Sequence, residues 1–313
     1  MGAMTTTADR APAPPDRGCV ACIGVFDGVH RGHQALLALA RLRSRAAGLP
    51  LVAVTFDPHP LSVVRPESAP TTLATIEHRV ELLHAAGADV VDVLAFDASL
   101  AATAPADFVQ EILLDRIGVR EIVVGENFRF GHRAAGTVDT LRDAGRRLGF
   151  SVTPVPLVGD GAERWSSTLT RSLITTGDVA AGADALGRPY RLEGVVVHGD
   201  HRGRELGFPT ANLAWAGNPT IPEDGVYAGW VGIDGEPLPA AISIGTNPQF
   251  GGRVQRVESY VLDRDDLDLY DRQIRVEFAH RIRGQERFAD VSALVDRMAV
   301  DVSEARVLLG TGA

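Results

Sequence analysis

The sequence contains no lysine, so every residue in its combined lysine and arginine count of 31 is an arginine. A Walker-type phosphate loop, a protein-kinase ATP site and a Schiff-base mechanism each depend on a lysine. The sequence therefore excludes all three. If this chain binds ATP, it must hold the nucleotide with arginine, histidine, backbone N–H groups and a metal ion.

Cysteine is scarce as well, with Cys19 and Cys22 as the only two in the chain. They lie three residues apart in an apolar run that predicts a strand, and residues three apart on a strand point to opposite faces. Such thiols do not share a disulfide or a metal ion, and no second pair completes a zinc site. We expect both to be small core residues.

Long hydrophobic runs and a basic surplus are also missing. No apolar run approaches the roughly 18 residues of a membrane span, and no signal segment opens the chain, so we expect a cytoplasmic protein that does not contact a membrane. A formal net charge of -9 argues against a nucleic-acid partner. The expected partners are small molecules, and the sequence does not specify an oligomeric state.

The length of 313 residues predicts about two domains. Residues 1–17 are rich in alanine, proline and threonine and predict a disordered arm. From residue 18 to 186, short β-branched runs alternate with amphipathic segments, which predicts an α/β domain with a Rossmann-like doubly wound parallel sheet. Short alternating runs from residue 187 to 313 predict an antiparallel barrel or sandwich with a terminal helix.

The first segment with a chemical signature reads Ile-Gly-Val-Phe-Asp-Gly-Val-His-Arg-Gly-His, at residues 23–33. A predicted strand precedes it and a helical pattern follows, so the N–H groups of the first helical turn are available to an anion. His30 and His33 fall on one side of that turn, and Gly32 leaves room for a ligand. A solvated helix start with two surface histidines explains the same residues, but the position after a strand favours phosphate binding.

Three further segments follow predicted strands of the first domain, where ligands of parallel sheets bind. They are Thr-Phe-Asp-Pro-His-Pro at 55–60, Gly-Glu-Asn-Phe-Arg-Phe-Gly at 125–131, and Arg-Trp-Ser-Ser-Thr-Leu-Thr-Arg at 164–171. Helix capping explains one hydroxyl in the last segment, whereas a row of hydroxyls beside two arginines suits phosphate. For the aromatic residues, lids over a core are the plainer interpretation.

Two places in the second domain carry chemistry. The loop at 199–212 repeats glycine every fourth residue and ends in Pro-Thr-Ala-Asn, so backbone N–H groups can face a phosphate. Thr210 and Asn212 present oxygens on one face to a hard cation. Glu258 is a carboxylate within a predicted strand. A hairpin loop and a solvent-facing glutamate are the plainer interpretations.

Taken together, these segments resemble the prokaryotic bifunctional riboflavin kinase/FAD synthetase family in order and spacing, over residues 23–309. Further matching motifs are Gly-Val-Tyr at 225–227, Ile-Gly-Thr-Asn-Pro at 244–248, Val-Glu-Ser at 257–259 and Leu-Tyr at 269–270. The resemblance implies an FMN adenylyltransferase domain at 18–186 and an antiparallel β-barrel riboflavin kinase domain at 187–313.

The resemblance also implies the role of each candidate residue. At the adenylyl-transfer site, the implied ATP-binding residues are Gly24, Phe26, Asp27, Gly28, His30, Gly32, His33, Arg164, Ser166, Ser167, Thr168 and Arg171, with His30 and His33 also catalytic. The implied flavin-binding residues are Phe56, Pro58, His59, Asn127 and Phe128. At the kinase site, Gly199, Gly203, Gly207, Thr210 and Asn212 would bind ATP, Thr210 and Asn212 would also hold Mg²⁺, and Glu258 would be the catalytic base.

The implied activity is phosphorylation of riboflavin by ATP to FMN, followed by adenylylation of FMN by a second ATP to FAD, with pyrophosphate released. Three positions depart from the family pattern: Thr170 stands in place of isoleucine, Asn127 in place of an acidic residue, and Gln249 in place of threonine. The alternatives are a nucleotidyltransferase with a single activity or another phosphorylated acceptor, and a non-catalytic flavin-binding protein.

Overall fold

The computed structural model describes residues 18–160, 163–199, 203, 206–246 and 255–311. The chain divides into two compact units: Met1–Pro70 with Ile76–Trp165, and Thr71–Thr75 with Ser166–Ala313. The arm expected at residues 1–17 lies outside the described residues. A functional boundary between residues 186 and 187 stays a prediction.

The first unit is built on a five-stranded parallel sheet with strand order β3-β2-β1-β4-β5. Its elements are β1 (Cys19–Ile23), a 3₁₀ turn (Asp27–Val29), α1 (Arg31–Ala47), β2 (Leu51–Asp57), α2 (Pro60–Val64), a second 3₁₀ turn (Pro66–Ser68), α3 (Ile76–Ala85), β3 (Val90–Ala95), α4 (Ala98–Ala102), α5 (Pro105–Asp107) with a π-helical continuation (Phe108–Arg116), β4 (Val119–Gly125), a third 3₁₀ turn (His132–Ala134), α6 (Val138–Leu148), β5 (Ser151–Val155) and a hairpin of β6 (Gly159–Asp160) and β7 (Glu163–Arg164). The order reverses between β1 and β4, and a crevice for ligands is expected at that reversal. The predicted doubly wound sheet is confirmed.

Every residue of β1 is buried, because helices cover both faces of the sheet. Cys19 packs in the cluster on one face and Cys22 in the cluster on the other, as the spacing predicts. Both thiols are free and buried, and burial raises the pKa of Cys19 to about 12. The two cysteines are therefore core residues.

The second unit contains a closed antiparallel barrel with strand order β10-β11-β12-β9-β8-β13. Its elements are α7 (Ser167–Thr175), α8 (Val179–Leu186), β8 (Tyr190–Val197), β9 (Ala211–Ala214), β10 (Gly225–Ile233), β11 (Glu236–Thr246), β12 (Gln255–Val261), β13 (Gln273–Gly284) and α9 (Val291–Leu309). The predicted barrel and terminal helix are confirmed.

Alternation along β12 decides which residues reach the barrel interior. Val257 and Ser259 are buried in the barrel wall, whereas Glu258 between them is partly exposed on the outer face. The ladder places Glu258 opposite Asn212 of β9 on one side and Ser243 of β11 on the other. Cross-strand partners share a face, so these three polar side chains lie together outside the barrel.

None of the helices in the described part of the chain is both long and apolar enough to cross a membrane.

Candidate functional site

The loop between β1 and α1 has a strained backbone. Phe26 and Val29 have positive φ angles of 52° and 39°, although neither is glycine. Such conformations cost roughly 1–3 kcal/mol each and persist where the surrounding packing holds them. Phe26, Asp27 and Val29 are all buried. The helix begins at Arg31 without a side-chain cap from His30, so its first N–H groups stay oriented toward a ligand position.

His30 and His33 form a stacked pair, with ring centroids 3.7 Å apart and an interplanar angle of 25°. Phe26 contacts His33 edge to face at 5.1 Å. Burial, His30 and the charge of Arg79 lower the pKa of His33 well below its ordinary value of 6.5. Its Nδ1 is buried without a hydrogen-bond partner within the described ranges. His33 is thus a neutral imidazole near pH 7, ready to hydrogen-bond a phosphate that would in turn raise its pKa.

Arg79 of α3 connects this loop to the end of β2. Its Nη1 donates a hydrogen bond of 2.9 Å to the Phe56 carbonyl oxygen, and its Nη2 lies 3.8 Å from Asp27 Oδ1. Asp27 was expected to bind ATP, and the structure shows its carboxylate beside this buried guanidinium. The sequence did not single out Arg79, because an arginine in an amphipathic helix normally faces solvent.

A cavity of about 1000 Å³ opens beside the same strand ends. Gly24, Phe56, Asn127 and Phe128 all line it, so one predicted phosphate-loop residue and three predicted flavin residues share a wall. Phe128 stacks with Phe130, which also lines the cavity, at 5.7 Å. A largely apolar, aromatic cavity of this size suits a planar ring ligand.

Pro58 and His59 are not among the residues that line this cavity. The Asp57–Pro58 peptide bond is cis, and His59 Nδ1 accepts a hydrogen bond of 3.1 Å from the Leu61 backbone N–H at the start of α2. Their contact with flavin stays a prediction.

The chain after β7 packs against the start of α1. The Arg31 guanidinium lies 5.7 Å from the centre of the Trp165 ring, a cation–π distance. A Cβ at position 32 would lie 3.1 Å from the Trp165 carbonyl oxygen, so glycine permits this approach. Arg164, the predicted phosphate ligand, is exposed on β7.

The hydroxyl segment belongs to the second unit and begins α7. Ser166 Oγ accepts a hydrogen bond of 3.1 Å from the Leu169 N–H, and Thr170 Oγ1 donates one of 3.0 Å to the Ser166 carbonyl. Thr170 is therefore buried with its hydroxyl satisfied. Arg171 Nε donates to the Thr71 carbonyl at 2.7 Å. The ATP contacts expected from Ser166, Ser167, Thr168 and Arg171 stay predictions.

A second cavity, of about 250 Å³, lies between the outer face of the barrel and α9. Thr210 and Glu258 line it together with Ser243, and α9 supplies Met298 and Asp301. The family resemblance assigned Thr210 and Glu258, which belong to two distant motifs, to one site. In the barrel both residues line the same cavity. Asn212 stands directly opposite Glu258 in the ladder.

Two described glycines of the predicted nucleotide loop lie close to these residues. A Cβ at position 203 would lie 2.5 Å from the Phe208 carbonyl oxygen and 3.2 Å from Thr210 Oγ1. Gly199 lies against the Asn212 side chain, and Gly207 has a φ of 85°. Asn247 and Pro248 of the neighbouring motif lie outside the described residues.

In the described ranges no three histidine, cysteine or acidic side chains form a metal cluster. The hydroxyl and amide oxygens of Thr210 and Asn212 are hard donors, which Mg²⁺ accepts together with water and phosphate oxygens. The donor set therefore fits Mg²⁺ delivered with a nucleotide.

Arg283 and Asp301 join α9 to the barrel. Arg283 Nε and Nη2 lie 2.9 Å and 2.7 Å from the two Asp301 oxygens, and both side chains are nearly buried. This bidentate pair raises the pKa of Arg283. The pair was not predicted, because its members are 18 residues apart on two elements whose packing the sequence does not reveal.

Comparisons with known proteins agree with this geometry. The FAD synthetase family model matches residues 13–169, and the riboflavin kinase family model matches residues 186–309. A bifunctional riboflavin kinase/FMN adenylyltransferase of Pseudomonas fluorescens is 40% identical, covering 96% of both chains. The protein of the same description from Escherichia coli K12 is 37% identical, covering 95% of this chain and 94% of its own.

A crystal structure described as a macrolide-efflux protein from Streptococcus pneumoniae has a TM-score of 0.84 and 30% identity, covering 94% of this chain and 95% of that one. This similarity and the two curated relatives each extend through both compact units. The chain belongs to the family of bifunctional riboflavin kinase/FMN adenylyltransferases.

Proposed function

We propose that this chain converts riboflavin to FAD in two ATP-dependent steps at two separate sites. The C-terminal part phosphorylates riboflavin to FMN, and the N-terminal part adenylylates FMN to FAD. The observation that carries the proposal is the pair of cavities, one in each unit, each lined by residues that the sequence assigned to one of the two reactions. We assign residues 18–186 to the adenylyltransferase and 187–313 to the kinase.

In the kinase site, Glu258 is the base. Its carboxylate accepts the proton of the riboflavin 5′-hydroxyl as that oxygen attacks the γ-phosphorus of ATP. A new P–O bond forms, the bond from the γ-phosphorus to the β–γ bridging oxygen breaks, and ADP leaves. Its place in the wall of a cavity roofed by α9 supports this role, since a flavin there would be shielded from water.

Thr210 and Asn212 would hold Mg²⁺ with the phosphates of ATP. The ion supplies positive charge against the charge that develops on the transferred group. Gly199, Gly203 and Gly207 would let the loop backbone approach the nucleotide closely; the close contacts of Gly199 with Asn212 and of Gly203 with Thr210 support this for the first two.

In the adenylyltransferase site no base is needed, because the FMN phosphate is already an anion. One of its oxygens attacks the α-phosphorus of ATP, the bond to the α–β bridging oxygen breaks, and pyrophosphate leaves. The task of the protein is alignment and charge stabilisation. We assign it to the α1 N-terminus, His30 and His33, with Arg164 and Arg171 as further phosphate ligands.

Phe56 and Phe128 would hold the isoalloxazine ring, with Asn127 hydrogen-bonding its polar edge. Asn127 replaces an acidic residue of the family and keeps an oxygen acceptor while adding a donor. Because both reactions consume ATP, we place the enzyme in the cytoplasm.

The two sites are tested separately with single substitutions. We expect Glu258→Gln to abolish FMN formation from riboflavin while FAD formation from supplied FMN continues, and His30→Ala to have the opposite effect. Flavins are separated by chromatography after incubation with ATP and Mg²⁺, and a chelator should stop the kinase reaction. Loss of both activities in either folded variant would contradict the assignment to two sites. Absence of both products from the wild-type protein would favour a flavin carrier.

A further inference from the structure

The two cavities differ in charge. Among the described residues, the first is lined by Arg65, Arg129, Arg133 and His132, and by no aspartate or glutamate. This is unusual for a chain with 40 acidic and 31 basic residues. The acid-free wall is therefore a local feature that overall composition does not explain.

The three arginines also differ from several other arginines of the same unit in how they are paired. Elsewhere in the same unit Arg41, Arg43 and Arg116 form ion pairs with acidic residues. Over the described ranges, no ion pair to a carboxylate is formed by the three arginines of the cavity; Arg129 Nη1 instead donates to the Phe128 carbonyl at 3.0 Å. All three arginines are exposed. Their positive charge therefore acts on the cavity without a carboxylate within ion-pair distance, and salt screens it.

Arg133 lies on a strained loop, with a φ of 53°, and the next residue, Ala134, has a φ of 56°. Two consecutive non-glycine residues in this conformation are energetically costly, and such residues cluster at functional sites. Both residues line the cavity. The strain is localised where Arg133 reaches the ligand space.

The second cavity has no such cationic surplus among its described residues. Glu258 and Asp301 line it with one arginine, Arg283, and Asp301 also pairs with Arg297 of α9 at 3.0 Å. Arg283 is moreover bound to Asp301 in the bidentate pair.

We propose that Arg65, Arg129 and Arg133 act as a charge filter that selects phosphorylated flavin for the adenylyl-transfer cavity. The inference rests on the proposed function of that site. Riboflavin is neutral, whereas the phosphate of FMN carries a charge between −1.5 and −2 near pH 7, as phosphate monoesters do. The cationic cavity favours FMN over riboflavin, because only FMN carries a phosphate. Charge thus selects the phosphorylated flavin for the adenylyl-transfer cavity.

The test compares the full-length wild type with Arg65→Gln/Arg129→Gln/Arg133→Gln. FAD synthesis from FMN is measured at low and high salt, with lumiflavin as a neutral competitor that has no side chain to phosphorylate. We expect the KM for FMN to rise at least tenfold at low salt, roughly the scale of electrostatic focusing. The difference should shrink as salt increases, and the inhibition constant of lumiflavin should change less than about twofold.

A matched control, Arg142→Gln/Arg146→Gln/Arg147→Gln, removes the same charge from the exposed face of α6. It should leave the KM for FMN near the wild-type value, and both variants should retain riboflavin kinase activity. An unchanged KM for FMN in the cavity variant overturns the filter. So does an equal rise in the KM for FMN and the lumiflavin constant, which would indicate a structural role. If the wild type makes no FAD from FMN, the proposed function fails instead.

Discussion

Arg79 and Asp27 form a buried pair, with Arg79 Nη2 lying 3.8 Å from Asp27 Oδ1 and side-chain exposures of only 4% and 1%. Burial lowers the pKa of Arg79, and the charges of Asp27 and Asp57 oppose that shift. The same guanidinium donates to the Phe56 carbonyl, so one side chain joins the β1–α1 loop to the wall of the 1000 Å³ cavity.

We predict that Arg79→Gln destabilises the first unit by about 3–5 kcal/mol, because it removes the buried charge that faces the Asp27 carboxylate. FAD synthesis should fall at least tenfold as Phe56 and the loop lose their shared anchor, while riboflavin kinase activity persists. Denaturant unfolding and both activities check this. Arg116→Gln, which breaks the ion pair with buried Asp92 in the same sheet, is the control. It should cost stability without changing the KM values for ATP or FMN. Wild-type adenylylation kinetics in Arg79→Gln would refute the anchoring role.

The neutral state of His33 predicts a pH dependence. Between pH 6.5 and the lower pKa of the folded state, the unfolded chain binds a proton that the folded protein does not. The contribution of His33 to the free energy of unfolding is therefore fully present above pH 6.5 and declines as the pH falls below that value. We expect His33→Asn to flatten this decline, measured as the unfolding midpoint between pH 8 and pH 5.5.

The exposed His84, hydrogen-bonded to the Ala88 carbonyl, offers a comparison. His84→Gln should keep the wild-type pH slope. If His33→Asn also keeps it, His33 is not the group that carries the decline.

The Arg283–Asp301 pair fixes α9 against the barrel beside the second cavity, the proposed kinase site. Asp301→Asn replaces a bidentate charged partner with an amide, so α9 should hold its position less firmly. We expect the KM for riboflavin to rise about tenfold, which corresponds to about 1.4 kcal/mol, while FAD synthesis from FMN is unchanged. Arg306, also on α9, pairs with the exposed Asp263. Asp263→Asn removes that partner and should change the KM for riboflavin less than about twofold. Equal increases in the KM for riboflavin with the two substitutions would show that Asp301 does not position α9 for substrate binding.

The parallel α/β sheet and the antiparallel barrel could both be predicted, because the hydrophobic periodicity of strands and helices is visible in the local sequence. The extents of single elements could not be predicted as well: β11 begins among exposed residues at Glu236, and the helix before β4 contains a π segment at Phe108–Arg116. Exposed positions at strand ends carry little apolar pattern, and π-helical hydrogen bonding has no residue signature.

At the sites, spacing predicted that His30 and His33 share a side of one turn, and the stacked rings agree. Thr210 and Glu258 were matched through family motifs and lie in one cavity. Arg79, Trp165 and Arg283 were missed, because each acts through a partner distant in sequence. Nothing in the local pattern separates a buried, paired arginine from a solvated one.

Cys19 and Cys22, the only thiols of the chain, both lie in β1, the middle strand of the sheet. A thiol reacts as its thiolate, and burial raises the pKa of both groups. Alkylation of either cysteine therefore requires the sheet to open at β1, and the alkylation rate measures the frequency of that opening. The barrel contains no cysteine, so opening of the barrel is not detected in such an experiment. One reagent applied to the intact enzyme thus times the opening of the adenylyl-transfer half alone.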